Sequence, residues 1–255
     1  MSASERRPIL EACGLGKRFG HVQALVDADL DLYAGDILAI VGDNGAGKST
    51  LIKCLSGAYI PDTGRIMVDG RLAHIRSPRD AQALGIATVY QDLALVDQRD
   101  VATNLCMGRE PTGRFGWVDR KALVRQAEAT LARLNTRIPA ANTPVGVLSG
   151  GQRQAVAIGR ALAQGGRVII MDEPTAALGV RESAQVLELI QGLRAETLGV
   201  AVISHNLQHV FAVADRIQVM RGGRCVGVRR CQDTSGEEIV RMITGADELV
   251  AGAVV

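Results

Sequence analysis

"DILAIVGDNGAGKSTLIKCLSG", residues 36–57, decides the fold, because three elements are written into it in order. Ile37–Val41 is an unbroken apolar run, which suits a strand buried on both faces. A glycine loop follows, and then a helix. The loop "GDNGAGKST" (42–50) fits the pattern G-x-x-x-x-G-K-[ST] in the setting that gives it weight, a strand before and a helix after. Gly42, Gly45 and Gly47 let the backbone curl until its N–H groups point inward at a phosphate. Lys48 can reach β- and γ-phosphates, and Ser49 offers an oxygen to Mg²⁺. A glycine-rich turn with a chance lysine is the plain alternative, and the flanking elements weigh against it. The stretch reads as a nucleoside triphosphate site.

On either side the chain reads as strands and helices in alternation. In "ALVDADLDLYAG" (24–35), Ala28, Leu30 and Leu32 alternate with Asp27, Asp29 and Asp31, the period of a half-exposed strand. "RIMVDGRLAHI" (65–75) keeps a strand rhythm broken by Asp69-Gly70, a hairpin signal. "VDRKALVRQAEATLARLN" (118–135) is an amphipathic helix with Leu123, Ala127, Leu131 and Leu134 on one face. "RVIIMDEP" (167–174) and "GVAVISHN" (199–206) are short apolar runs, each preceded by a helical segment. That alternation predicts a largely parallel sheet. "RIQVMRGGRCVGVRR" (216–230) reads as a closing hairpin turned at Gly222-Gly223, and the helical stretch around 100–165 as an insertion into the α/β core.

Composition narrows the function. The 255 residues are 47% hydrophobic but only 3% aromatic, so the core is built of Leu, Ile, Val and Ala. A net charge of +2 gives no argument for nucleic acid or an anionic membrane face. Cys13, Cys54, Cys106, Cys225 and Cys231 form no CxxC pair or metal-ligand spacing and read as reduced, mostly buried thiols. No apolar run approaches the ~18 residues of a membrane span. "MSASERRPIL" lacks the apolar core of a signal peptide, and a cytosolic protein is expected.

Four further features concern chemistry. In "VLSGGQRQ" (147–154), Ser149 stands where a helix N-cap should, with two glycines after it. Such a start presents N–H groups and a positive dipole to an anion, about a hundred residues from the phosphate loop. In "VIIMDEP", Asp172 and Glu173 stand at the C-terminal end of a strand, the edge where open α/β sheets bind ligands. Asp172 can hold Mg²⁺ through water, and Glu173 can take a proton from an attacking water. His205 follows another strand at that same edge if the strands are parallel. Gln91 follows a short β run, and Phe19 is one of seven aromatics whose plain reading is core.

Together Phe19, "GDNGAGKS", Gln91, "LSGGQ", "VIIMDEP" and His205 resemble the nucleotide-binding cassette of ATP-binding cassette (ABC) transporters over roughly residues 9–230. The resemblance implies that Phe19 stacks on adenine and that Gly42, Asp43, Asn44, Gly45, Ala46, Gly47, Lys48, Ser49 and Thr50 hold the phosphates of ATP. It places Mg²⁺ on Ser49, Gln91 and Asp172. Glu173 is then the general base, His205 contacts the γ-phosphate and holds the attacking water, and Lys48 and Gln91 complete the catalytic set. Leu148, Ser149, Gly150, Gly151 and Gln152 serve the ATP of a second cassette packed head to tail. The finer match is to monosaccharide importers, through "VYQDLALVDQRDVATNLCMGRE" (89–110). One departure stands out. Gly179 occupies the place where the family usually carries an aspartate that helps couple the two sites, and a glycine cannot make that carboxylate's hydrogen bonds.

The expected architecture is α/β: a P-loop NTPase core with a largely parallel sheet, an antiparallel β subdomain and a helical insertion at 95–165. Residues 1–245 form one cassette and 246–255 a tail. The expected activity is ATP hydrolysis powering sugar import through separate permease subunits, with a second cassette and an extracytoplasmic sugar-binding protein as further partners. No nucleic acid is expected, and the place is the inner face of the cell membrane. Rivals are a soluble ABC ATPase of DNA repair or translation, an importer of another small solute, and a P-loop kinase, which leaves "LSGGQ" unexplained.

Overall fold

The computed structural model describes residues 7–134, 136 and 138–246. The chain runs β1 (Leu10–Phe19), β2 (Val22–Leu32), β3 (Ile37–Val41), α1 (Lys48–Leu55), β4 (Thr63–Val68), β5 (Arg71–Ala73), α2 (Pro78–Ala83) and β6 (Ile86–Val89). It continues through α3 (Val101–Cys106), α4 (Arg120–Arg133), α5 (Gly150–Ala163), β7 (Val168–Asp172), α6 (Val180–Gly192) and β8 (Gly199–Ile203). The last elements are α7 (Leu207–Val213), β9 (Arg216–Arg221), β10 (Arg224–Arg230) and α8 (Gly236–Thr244).

Two sheets result. One is antiparallel, in the order β2-β1-β4-β5; the other has the order β10-β9-β3-β8-β7-β6. In the second, β9, β3, β8, β7 and β6 run parallel, and β10 is an antiparallel edge. The unbroken run in β3 has a direct cause. Ile37, Ala39 and Val41 enter a core shared with α5, α6, α7 and α8, while Leu38 and Ile40 enter another shared with β1, β2 and α1. Side chains alternate across a strand, so a sheet covered on both faces has no polar side to present. Each such fully buried Leu or Ile contributes roughly 1.5–3 kcal/mol.

In β2 the three aspartates lie outward and Ala28, Leu30 and Leu32 are buried, as the alternation requires. Both hairpins turn where the sequence places them. Asp69 and Gly70 have φ of 50° and 70°, and Gly222 and Gly223 have 56° and 79°. Positive φ at both central residues matches the turn to the twist of its strands. In α4, Asp119 caps the start through Ala122 N–H, and Leu123, Ala127 and Leu131 are buried. They pack with Val101, Leu105, Leu148 and Val156 of the helical region in a third core. Asn135, at the end of the stretch read as this helix, and residues 247–255 of the tail lie outside the described residues.

One expectation needs correcting. Only Cys54 and Cys106 are buried; Cys13, Cys225 and Cys231 are half-buried, the latter two on and just after the edge strand β10. All five are free thiols. Phe19, whose plain reading is core and whose resemblance-based reading is the adenine platform, ends β1 with 43% of its surface exposed.

Candidate active site

The phosphate loop joins β3 to α1 and is held from outside. Gly223, in the β9–β10 turn, donates its N–H to Ala46 O at 3.0 Å and accepts from Val26 N–H at 2.9 Å. Gly47 has φ of 100°, and a Cβ there would lie 2.7 Å from Ala24 O. A Cβ on Gly42 would lie 2.2 Å from Met220 O. These glycines are therefore required by close backbone approach as well as by φ. Asp43, Asn44, Gly45 and Ser49 face solvent, Ala46 is buried beneath them, and Thr50 continues into α1. Lys48 Nζ folds back onto the loop, donating to Gly42 O at 2.6 Å and Asp43 O at 2.9 Å. Burial pushes its ammonium below the ordinary value, opposed by the charges of Glu173, Asp43 and Asp172. A curled loop around an ammonium with only carbonyls for partners is a cradle suited to phosphate oxygens.

The acids stand at the carboxyl ends of the parallel strands. Asp172 ends β7 opposite Ile203 of β8, so residues just beyond both strands share an edge. Glu173 takes φ of 52°, a sparsely populated conformation for a glutamate, and its N–H donates to Ile203 O at 3.0 Å. His205 Nδ1 reaches Glu173 Oε1 at 2.9 Å, with the carboxylate mostly covered and the imidazole largely exposed. Burial and then the charge of Glu173 raise the Asp172 carboxyl, while Lys53 and Lys48 pull it down. Lys48, Asp172, Glu173 and His205 thus gather at one edge. Gln91 is exposed just past β6, the strand beside β7.

Phe19 belongs to the antiparallel sheet that abuts the loop. Its partner in the hairpin is Val22, two residues before the Ala24 that abuts Gly47. Tyr59 meets its ring edge-on at 5.1 Å, and Lys17 Nζ lies 5.6 Å from its centroid. The oxygens of Ser49, Asp172 and Gln91 are hard donors that suit Mg²⁺. Among the described residues no group of three or more His, Cys, Asp or Glu could hold a metal ion alone.

The structure does not put the "LSGGQ" residues in this cluster. Ser149 caps α5, its oxygen accepting from Gln152 N–H while Gln152 Oε1 accepts from Ser149 N–H. Leu148 anchors that start in the helical core, and Gly151 is buried. α5 packs on α3, α4, α6 and β6, whereas α1 packs on β1 and β2. Sequence reasoning missed Tyr59, Gly223 and Glu182, whose carboxylate accepts from Gly150 N–H. Glu182 did carry a signal, a glutamate three residues after a helix start.

A phosphate loop, an acid–imidazole pair at the ends of the next two strands and a separate anion-ready helix start define an ATP-binding cassette. The family described as ABC transporter matches residues 25–176. The chain belongs to that family, as its ATP-binding ATPase cassette. It is similar over nearly its whole length to the fructose import ATP-binding protein FrcA of Rhizobium meliloti, with 51% identity over 95% of this chain and 96% of that one. The xylose/arabinose import ATP-binding protein XylG of Sulfolobus acidocaldarius is 42% identical over 92% and 94%. The ribose import ATP-binding protein RbsA 1 of Rubrobacter xylanophilus is 48% identical over 94% of this chain, which spans only 47% of that relative. A crystal structure of a nucleotide-free ATP-binding cassette from an ABC transporter matches with a TM-score of 0.80 and 27% identity, covering 93% of this chain and 96% of that one.

Proposed function

We propose that this chain is the ATP-hydrolysing subunit of a monosaccharide importer. Residues 1–245 act as one cassette with 95–165 as its helical insertion. The cassette pairs with a second copy and drives separate permease subunits supplied by an extracytoplasmic sugar-binding protein. It acts on the cytoplasmic face of the membrane and uses no nucleic acid. No helix among the described residues is long and apolar enough to cross a membrane, so the translocation path is assigned to the permease. The sugar class comes from the fructose, xylose/arabinose and ribose relatives. The observation that carries the ATPase reading is the 2.9 Å Glu173–His205 pair at the strand edge beside Lys48.

Residues 42–50 hold the phosphates, Lys48 turns from its own carbonyls to the β- and γ-phosphates, and Phe19 offers its exposed face to the adenine. Ser49, Asp172 and Gln91 would hold Mg²⁺, which when bound would supply positive charge to neutralise the phosphates. Glu173 takes the proton of the attacking water at Oε2, because His205 engages Oε1. His205 fixes that carboxylate and, through its exposed edge, faces the γ-phosphate. Ser149, Gly151 and the dipole of α5 complete the site of the other cassette.

A groove of about 300 Å³ lies between α2, β6 and α5, lined by Arg79, Gln82, Thr88, Tyr90, Arg160 and Gln164 among others. The buried Thr88 hydroxyl there has no hydrogen-bond partner among the described residues. Tyr90, next to Gln91, bonds Ser56 just past α1 at 2.9 Å. We assign this groove to the permease, whose docking then reaches the nucleotide through Tyr90 and Gln91.

The test mixes two variants in a Glu173→Gln background with permease present, one carrying Lys48→Ala and the other Ser149→Arg. If each nucleotide is completed by the other chain's α5, a mixed pair keeps one intact site and traps up to one MgATP, while each variant alone traps almost none. No gain on mixing, with mixed pairs shown to form, overturns the paired reading. Uptake of labelled fructose, ribose and xylose by cells carrying the chain and its permease tests the substrate class, and uptake of none of them overturns it.

A further inference from the structure

The starts of α5 and α6 touch, and one side chain joins them. Glu182 Oε1 accepts the Gly150 N–H at 3.1 Å, and Oε2 accepts the Gly179 N–H at 3.2 Å. The two starts are packed as well as bonded. A Cβ on Gly150 would lie 2.6 Å from Leu178 Cδ2, and one on Gly151 3.4 Å from Glu182 Cβ. The Gly179 N–H first, and then groups of Ser149, Gly151 and Gly150, hold the Glu182 carboxyl below its ordinary range. Gly179 itself sits at φ −68° and ψ 165°, a conformation open to any residue. Its lack of a side chain therefore has no backbone cause. A Cβ placed there would lie 3.8 Å from Glu182 Oε2, aimed at the carboxylate already present. Aspartate at 179 would set two anions side by side.

We propose that Glu182 is a positioning residue that ties the phosphate-facing start of α5 to the turn 173–179, so that the partner's ATP and this chain's own Glu173 are coupled. The turn begins at Glu173 and ends at Gly179, the N-cap of α6. A γ-phosphate arriving at Ser149 and Gly151 draws on α5. Through the two bonds of Glu182 that pull reaches the segment holding Glu173 in its strained conformation. The carboxylate missing at 179 is thus supplied from one helical turn further along. This rests on the reading that α5 serves the partner's nucleotide.

Glu182→Gln separates coupling from folding. An amide has one accepting oxygen, so it caps its own helix at Gly179 but turns its NH₂ toward the Gly150 N–H, or the reverse. We expect the melting temperature to move by no more than about 2 °C, the typical shift for a fraction of a kcal/mol in a chain of this size. ATP affinity of the cassette alone should stay the same, since the phosphate loop is untouched. With permease present, kcat should fall about 10-fold while KM changes little, and cooperativity in ATP should be lost, the scale of an ordinary coupling energy. Adding Gly179→Asp should recover most of the loss, and Gly179→Asn should not. The proposal is overturned if Glu182→Gln keeps kcat and cooperativity within twofold. It is equally overturned if stability and ATP affinity fall along with kcat, or if asparagine rescues as well as aspartate. Failure of the Lys48→Ala and Ser149→Arg mixture to trap ATP would instead remove the paired reading beneath it.

Discussion

Glu173 combines two demands that pull against each other. Its φ of 52° is costly for a glutamate, of order 1–3 kcal/mol, and the N–H bond to Ile203 O helps hold it there. That posture carries the carboxylate to His205. Replacing Glu173 with Gln keeps size and most hydrogen bonding but removes the base. ATP binding should persist while turnover falls at least ~100-fold in a phosphate-release assay. Near-normal turnover would falsify its role. Asp172 has the opposite signature, a carboxyl raised first by burial and then by Glu173. In the folded chain its ionised form is disfavoured, so its burial costs nothing below the unfolded carboxylate range near pH 3.9 and costs most once pH exceeds the raised value. Asp172→Asn should therefore melt higher than wild type at pH 7.5 without nucleotide, and this advantage should vanish as pH falls toward about 4. The same variant should lose Mg²⁺-dependent ATP binding. A lower melting temperature for Asp172→Asn at pH 7.5 would refute the argument.

At the scale of elements, the β9–β10 hairpin does more than close the sheet. Its second glycine is pressed between the phosphate loop and β2, with a would-be Cβ 2.8 Å from Ala24 O and φ of 79°. Gly222, one residue earlier, has open space around it. Gly223→Ala should therefore cost roughly 1–3 kcal/mol through forced backbone shifts. Because the Gly223 N–H bonds Ala46 O, it should also weaken ATP binding measured by calorimetry. Gly222→Ala carries only the φ penalty, about 1 kcal/mol, and should leave ATP affinity alone. Equal effects of the two on affinity would show that the hairpin does not brace the loop.

Across the whole molecule, the central sheet is covered on one face by the antiparallel sheet with α1 and on the other by α5 to α8. Helices α3, α4 and α5 add a third core, so α5 belongs to two packing units at once. The groove at that junction contains Arg79 and Arg160, the latter donating to Leu93 O and Ala94 O just beyond Gln91. If the permease docks there, Arg79→Glu should reduce co-purification with permease by at least about 10-fold, the effect of one unfavourable charge in a small interface. The Kd of the isolated cassette for ATP should not change, because Arg79 lies on α2, away from the phosphate loop. Full retention of the permease would exclude this face as the dock.

The sequence by itself determined what is local. The strand–loop–helix at 36–57, the period of two in β2, the apolar face of α4 and the hairpins at Asp69-Gly70 and Gly222-Gly223 all follow from side-chain alternation and turn chemistry. Asp172 and Glu173 stood out as candidates because they follow a strand at the ligand-binding edge of a sheet that also carries a phosphate loop, whereas His205 drew its role from the resemblance. Only the tertiary structure decided which ends meet. Glu173 faces His205 because β8 lies next to β7, a strand order that no local period encodes. Gly223 reaches Ala46 and Glu182 reaches Gly150 for a like reason. Each satisfies a backbone group left unpaired at a loop or helix start, and any donor or acceptor at the right place in space can do that, whatever its distance along the chain. That Phe19 stays 43% exposed at the end of β1, with Tyr59 against its edge, is likewise a matter of how the sheets pack and of no local period.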